Sequence, residues 1–135
     1  MASFAPVVIP DTHRDLLDAR GFAHLATVDA DGCPQTTPMW YLWDATHLLF
    51  STVKHRRKYR NLLRDPRVAL SITDPDNPYR YLQIRGLAHF EDDPDGRIHH
   101  ALVTKYIGAG ITPWDEPGTE RIALKVTIVR MSCSG

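Results

Sequence analysis

Short runs of β-forming residues, each closed by a turn signal, leave this chain few ways to fold. Residues 22–28 read as a strand, and the Asp29-Ala30-Asp31-Gly32 turn that follows carries Asp-Gly, a strong hairpin signal. A second strand is predicted over residues 34–43 and a third over 47–53, with Asp44-Ala45-Thr46 turning the chain between them. Further strands are expected over 68–73, 79–90 and 120–131, the last from the alternation of Ile122, Leu124, Val126 and Ile128 with polar or small neighbours. The Asp74-Pro75-Asp76-Asn77-Pro78 turn separates the first two of these, and Gly86 marks a bulge or a close backbone approach. Three short helices complete the pattern. One enters at Pro10-Asp11-Thr12 with Leu16 and Leu17 as its apolar anchors, one spans 55–64, and one runs from 94 to about 107. Six strands in hairpin order with few long crossovers predict a mainly β (α+β) chain folded as a six-stranded antiparallel barrel, in one domain over residues 1–135.

Charge is balanced overall, with 16 Lys and Arg against 16 Asp and Glu. That leaves no global field to steer nucleic acid or an anionic membrane. No apolar run approaches the roughly 20 residues needed to cross a bilayer, and residues 1–10 lack a basic region followed by a long apolar one. Cys33 and Cys133 are far apart and without metal-type spacing, which reads as two unpaired thiols in a reducing compartment. The expected location is cytoplasmic.

Local charge is less even. Seven of the 16 Lys and Arg fall between residues 54 and 67, where Asp65 is the only acid. The helix expected there has its cations in the first turn, with Tyr59, Leu62 and Leu63 as the core-facing side. A helix N-terminus is partially positive and has unpaired N–H groups, so cations there repel it unless an anion intervenes. A phosphate would satisfy the N–H groups and the cations together. Lys54 and Lys58, and Arg56 and Arg60, are each one turn apart, so more than one can face the same ligand. A solvated charged face and a nucleic-acid patch are the alternative readings of this segment.

Two further segments carry polar groups suited to a ligand. Pro34-Gln35-Thr36-Thr37-Pro38-Met39-Trp40-Tyr41 places two prolines in one strand, which predicts a sheet edge or an interrupted ladder with free backbone groups. Ser51 and Thr52 are expected beside it in a hairpin, just before the basic helix. Tyr79-Arg80-Tyr81 can stack on a ring or clamp an anion. There is no Gly-x-Ser-x-Gly elbow, Walker loop or His-Glu-x-x-His. His99 and His100 are helix neighbours pointing about 100° apart, which makes them poor co-ligands for a metal. A chain without a catalytic set suits chemistry done by a bound cofactor.

Several segments together resemble the pyridoxamine 5′-phosphate oxidase-like split β-barrel superfamily, within it the small F420 (deazaflavin)-dependent oxidoreductases. They are Leu25-Ala26-Thr27-Val28 with Asp31-Gly32 and Pro34-Gln35; Leu48-Leu49-Phe50-Ser51-Thr52; and Arg56-x-Lys58-x-Arg60-Asn61-Leu62 with Asp65-Pro66-Arg67. The segment 74–82 and Arg85-Gly86 complete the set. The resemblance implies a homodimer with cofactor sites at the subunit interface. It places phosphate-binding groups at Arg56 and Lys58, with Arg60 and Asn61 close behind, and an extra charge at Arg57 suited to a polyanionic tail. It puts the ring-contacting strand at Gln35, Thr36, Thr37 and Pro38, with Ser51 and Thr52 on its neighbour. Tyr79, Arg80 and Tyr81 would reach the cofactor from the second subunit, and Arg121 matches a basic position near the tail. The implied activity is hydride transfer from reduced F420 to an electron-poor organic substrate stacked near Trp40, Tyr79 or Trp114. FMN as the cofactor, or a carrier that only stores F420, are the alternatives.

Overall fold

The computed structural model describes residues 7–111 and 115–135. Seven strands form one antiparallel sheet: β1 (Ala23–Val28), β2 (Pro34–Met39), β3 (Leu42–Trp43), β4 (Leu48–Val53), β5 (Arg67–Asp74), β6 (Asn77–Asp92) and β7 (Arg121–Ser134). Their order is β2-β1-β5-β6-β7-β4-β3. Seven strands replace the expected six because the run over 34–43 is cut at Trp40-Tyr41, and its two parts pair with different partners.

That cut explains the closure of the sheet. β2 lies at one end of the strand order and β3 at the other, yet only two residues join them. Three Cα–Cα steps span at most about 11 Å. The two ends of the sheet must therefore meet in space, which rolls it into a barrel open along the β2–β4 side. Tyr41, at the crossing, is fully buried and its hydroxyl donates to the Leu16 carbonyl at 2.6 Å. Leu16 and Leu17 plug the barrel from a single 3-10 turn, Arg14–Leu17, the only helical structure formed there. Leu25, Phe50, Leu70, Ile72, Leu82, Ile84, Leu124 and Val126 fill the interior by strand alternation.

Gly86 is buried where the β6–β7 register shifts. A Cβ there would lie 2.5 Å from the Thr127 carbonyl oxygen, so the backbones approach too closely for any side chain.

Two helices flank the sheet, α1 (Arg57–Arg64) and α2 (Arg97–Tyr106). Both begin later than expected. In α2 the buried Asp93 carboxylate accepts the N–H groups of Arg97 and Ile98, and Gly96 (φ 65°) makes the turn into the helix. In α1 the inward face is not the apolar stripe expected. Leu62 is buried, Tyr59 meets Phe90 edge-on at 4.7 Å, but Leu63 is 62 % exposed. Asn61 takes the inward position instead, fixed by hydrogen bonds to Thr27 of β1 and to Asp29 just after it. Among the described residues no helix is long and apolar enough to cross a membrane.

Candidate functional site

The seven cations over 54–67 separate once their partners are counted. Lys54 lies near Asp92 and Glu120, Arg57 near Asp29, and Arg67 against Asp65. Arg64 donates to the Val28 carbonyl at 2.9 Å. Arg56, Lys58 and Arg60 have no acidic partner among the described residues. Arg56 is the N-cap of α1 and has no side-chain acceptor to offer the free N–H groups of the first turn, which also holds no acid. Lys58 is half-buried with its ammonium 3.1 Å from the Met39 sulfur. Burial, and then the adjacent Arg56 charge, hold its pKa below the ordinary lysine value. This end of the helix thus keeps positive charge, half-buried at Lys58, without a counterion among the described residues.

Beside it runs a groove between β2 and β4. Its α1 half, about 420 Å³, is lined by Thr37, Pro38, Met39, Ser51, Thr52, Val53, Arg56, Lys58 and Arg121. Its α2 half, about 320 Å³, shares Pro38, Met39, Ser51 and Arg121 and adds Phe22, Trp40, His99 and Leu102. The two strands do not form the expected hairpin. β2 pairs only with β1, and Ser51 pairs with Ala123 of β7. Barrel closure, rather than a ladder, brings them face to face. Ser51 Oγ, at the junction of the halves, is buried without a hydrogen-bond partner among the described residues. A buried hydroxyl left unpaired is costly, so this one is poised for a polar group of a ligand.

Trp40 is held by α2. Its ring stacks on Tyr106 at 4.9 Å with 8° between planes, and Lys105 donates to the Tyr41 carbonyl at 2.7 Å. Burial pushes the Lys105 pKa down to about 8. Arg121, opposite Val53 in the β4–β7 ladder, pairs with Asp115 at 2.7 Å and reaches His99 Nε2 at 3.3 Å.

The structure gathers Thr37, Pro38, Ser51, Thr52, Arg56 and Lys58 at one groove. It places the remaining predicted residues elsewhere. Gln35 faces Thr27 at 3.3 Å, Thr36 is exposed along β2, and Arg57 and Arg60 do not line the groove. Asn61 is spent on the fold: its amide donates to Thr27 Oγ1 and Asp29 Oδ1, and its carbonyl accepts from Arg64. Tyr79 and Tyr81 lie on the β5–β6 hairpin with Arg80 between them, whose guanidinium is taken by Asp15, Asp74 and the Thr12 carbonyl. Trp114 lies outside the described residues. Phe22, Met39, His99 and Leu102 were not singled out as site residues in the sequence. Only the late pairing of β4 with β7 and the packing of α2 on β4 bring His99 and Arg121 beside β2.

Comparison with known proteins gives a consistent result. The family model described as pyridoxamine 5′-phosphate oxidase matches residues 9–133. A solved structure named F420 reductase is 40% identical, covers 92% of this chain and 98% of its own, and superposes with a TM-score of 0.82. A conserved hypothetical protein of Mycobacterium tuberculosis shares the fold at 24% identity and TM-score 0.75, over 99% of this chain and 89% of its own. General Stress Protein 26 of Bacillus anthracis does so at 17% identity and TM-score 0.68, over 92% of each.

Proposed function

The chain belongs to the pyridoxamine 5′-phosphate oxidase family, and from that premise we propose that it is an F420-dependent reductase. Reduced F420 supplies a hydride, and the acceptor is an electron-poor organic compound such as an enone, quinone or tetrapyrrole. The observation that carries this reading is the groove itself: uncompensated Arg56 and Lys58 at one end, and the unpartnered Ser51 Oγ in the middle. These residues fit a flat coenzyme with an anionic arm. Arg56, Lys58 and the free N–H groups of α1 bind the arm. The edge of β2 around Thr37 and Pro38, with Ser51 opposite, orients the rings. Holding them in one geometry is the protein's main contribution to rate. The 40% identity to an F420 reductase favours F420 over FMN, and the two uncompensated cations, Arg56 and Lys58, suit its phosphodiester arm.

The working form in this reading is a homodimer in the cytoplasm. An apolar groove of about 540 Å³ on the outer face of β1, β5 and β6, between Arg67 and Arg85, offers a second copy a surface to cover. The exposed, unpaired Cys33 and Cys133 suit a reducing compartment. Light scattering should return twice the chain mass.

A side-by-side titration with F420 and FMN tests the cofactor, followed by oxidation of F420H2 with enones, quinones and tetrapyrroles. F420 should bind at least about tenfold tighter and its reduced form should be oxidised only when an acceptor is present. Tighter FMN binding and a yellow purified protein would replace this reading with an FMN oxidoreductase. Tight F420 binding without acceptor-dependent oxidation would make the protein a carrier.

A further inference from the structure

The α2 half of the groove differs in chemistry from the α1 half. Its walls are Phe22, Pro38, Met39, Trp40 and Leu102, and Arg121 there is already neutralised by Asp115. An anion gains little in it; an uncharged, flat molecule gains burial. The one polar side chain in it not yet accounted for is His99.

An arginine guanidinium has donors only. Arg121 at 3.3 Å from His99 Nε2 must therefore donate to a lone pair there, which leaves the imidazole proton on Nδ1. No partner for Nδ1 is found among the described residues. We propose that His99 is the specificity-determining residue of this groove: a neutral imidazole that donates Nδ1–H to a carbonyl oxygen of the acceptor. The assignment rests on the reductase reading only for the identity of the reductant. Burial and then the Arg121 charge hold the His99 pKa below its ordinary value; Asp115 and Asp93 oppose them, and His100 reinforces them. The result favours the neutral ring at pH 7, as the hydrogen bond from Arg121 requires.

The donor has a clear use. A hydride added to the carbon conjugated with a carbonyl leaves its electron pair on the oxygen as an enolate. Nδ1–H stabilises that oxygen without giving up its proton, and water protonates carbon to complete the two-electron reduction. The reductant is the F420H2 of the proposed function. Lining the groove with Leu102 and Arg121, His99 would thus select carbonyl-bearing acceptors over other electron-poor compounds.

The test has a cofactor-free arm and a kinetic arm. In protein labelled with nitrogen-15 histidine, the His99 resonances are identified by their loss in His99→Leu. Nδ1 should be protonated and Nε2 bare at neutral pH, and 2-cyclohexen-1-one should shift the Nδ1 signal. An Nε2–H tautomer, an imidazolium, or no shift at saturating enone overturns the proposal. In turnover, His99→Leu should lose about tenfold or more in kcat/KM for the enone at unchanged F420 affinity. His99→Asn, whose amide nitrogen superposes on Nδ1, should recover most of it. Loss of F420 affinity in His99→Leu, or no rescue by Asn, also overturns it. If wild type fails to bind F420 while the enone still shifts Nδ1, the reductase reading falls and the His99 assignment stands.

Discussion

Arg80 and the pair Arg56/Lys58 are both positioned where a phosphorylated cofactor was expected to find them, yet their surroundings are opposite. Arg80 is held between Asp15 and Asp74, with 3.0 Å contacts to each, and also donates to the Thr12 carbonyl. Both terminal nitrogens of its guanidinium are already taken by the fold. Arg56 and Lys58 stand at a groove and a bare helix end, with no acid among the described residues to offset them. The same residue types serve as a fastener in one place and as an open binding surface in the other. Charge alone does not separate the two; the partner list does.

That contrast can be broken most directly at the groove. Arg56→Ala with Lys58→Ala removes two charge-assisted contacts of about 1.5–3 kcal/mol each, so F420 affinity should fall by about a hundredfold or more. Thermal unfolding should not move to lower temperature, since neither side chain closes an ion pair among the described residues and Lys58 is charged at a cost. Arg80→Ala should do the reverse: a lower unfolding midpoint and intact F420 affinity. If both variants lose affinity alone, the two regions are one site and the distinction fails.

Asn61 sharpens the comparison from within α1. Lys58, one turn earlier on the same helix, lines the groove, while the Asn61 amide ties the helix to β1. Asn61→Ala should cost about 1–3 kcal/mol of stability by denaturant unfolding, because Thr27 and Asp29 lose their partner. Its effect on F420 binding should be smaller than that of Lys58→Ala.

Lys58 also predicts a pH signature. Its pKa is lowered in the free protein by burial and by Arg56, and a bound anion would favour the charged form. F420 affinity should therefore fall as pH rises, starting below the ordinary lysine range, and Lys58→Arg should move that fall to higher pH. For stability the sign is opposite: the unfolded chain holds the Lys58 proton to higher pH than the folded chain does, so this group's penalty on folding is relieved as pH rises through the folded value. The smallest effect belongs to Arg57→Ala. Its exposed pairing with Asp29 at 3.9 Å should change stability and affinity by less than about threefold in the equilibrium constants.

The strands over 22–28 and 120–131 were legible from a period of two, and that over 47–53 from a run of apolar and β-forming residues after the Asp44-Ala45-Thr46 turn. The edge character of β2 followed from Pro34 and Pro38, and the close approach at Gly86 from a lone glycine in a strand. The core-facing side of α1 was misread: helical spacing marks Leu63 as readily as Leu62, and only the hydrogen bonds to β1 favour Asn61 over Leu63. The site was half legible. The cations and the free helix end are local features, and the sequence alone predicted an anion there.

What the sequence determined, then, is what a few neighbouring residues can determine through backbone propensity and local charge: the strand runs, the turns and the uncompensated basic segment. Tertiary structure decided which strands meet, and therefore that β2 faces β4 across a gap rather than along a ladder. It also decided which of seven cations stay free, and that His99 and Arg121, 22 positions apart, share one hydrogen bond at the groove. The physical reason is common to all three. Ladder pairing, ion pairing and burial each depend on distances between residues remote in the chain, and the closure of the barrel through Trp40-Tyr41 sets those distances.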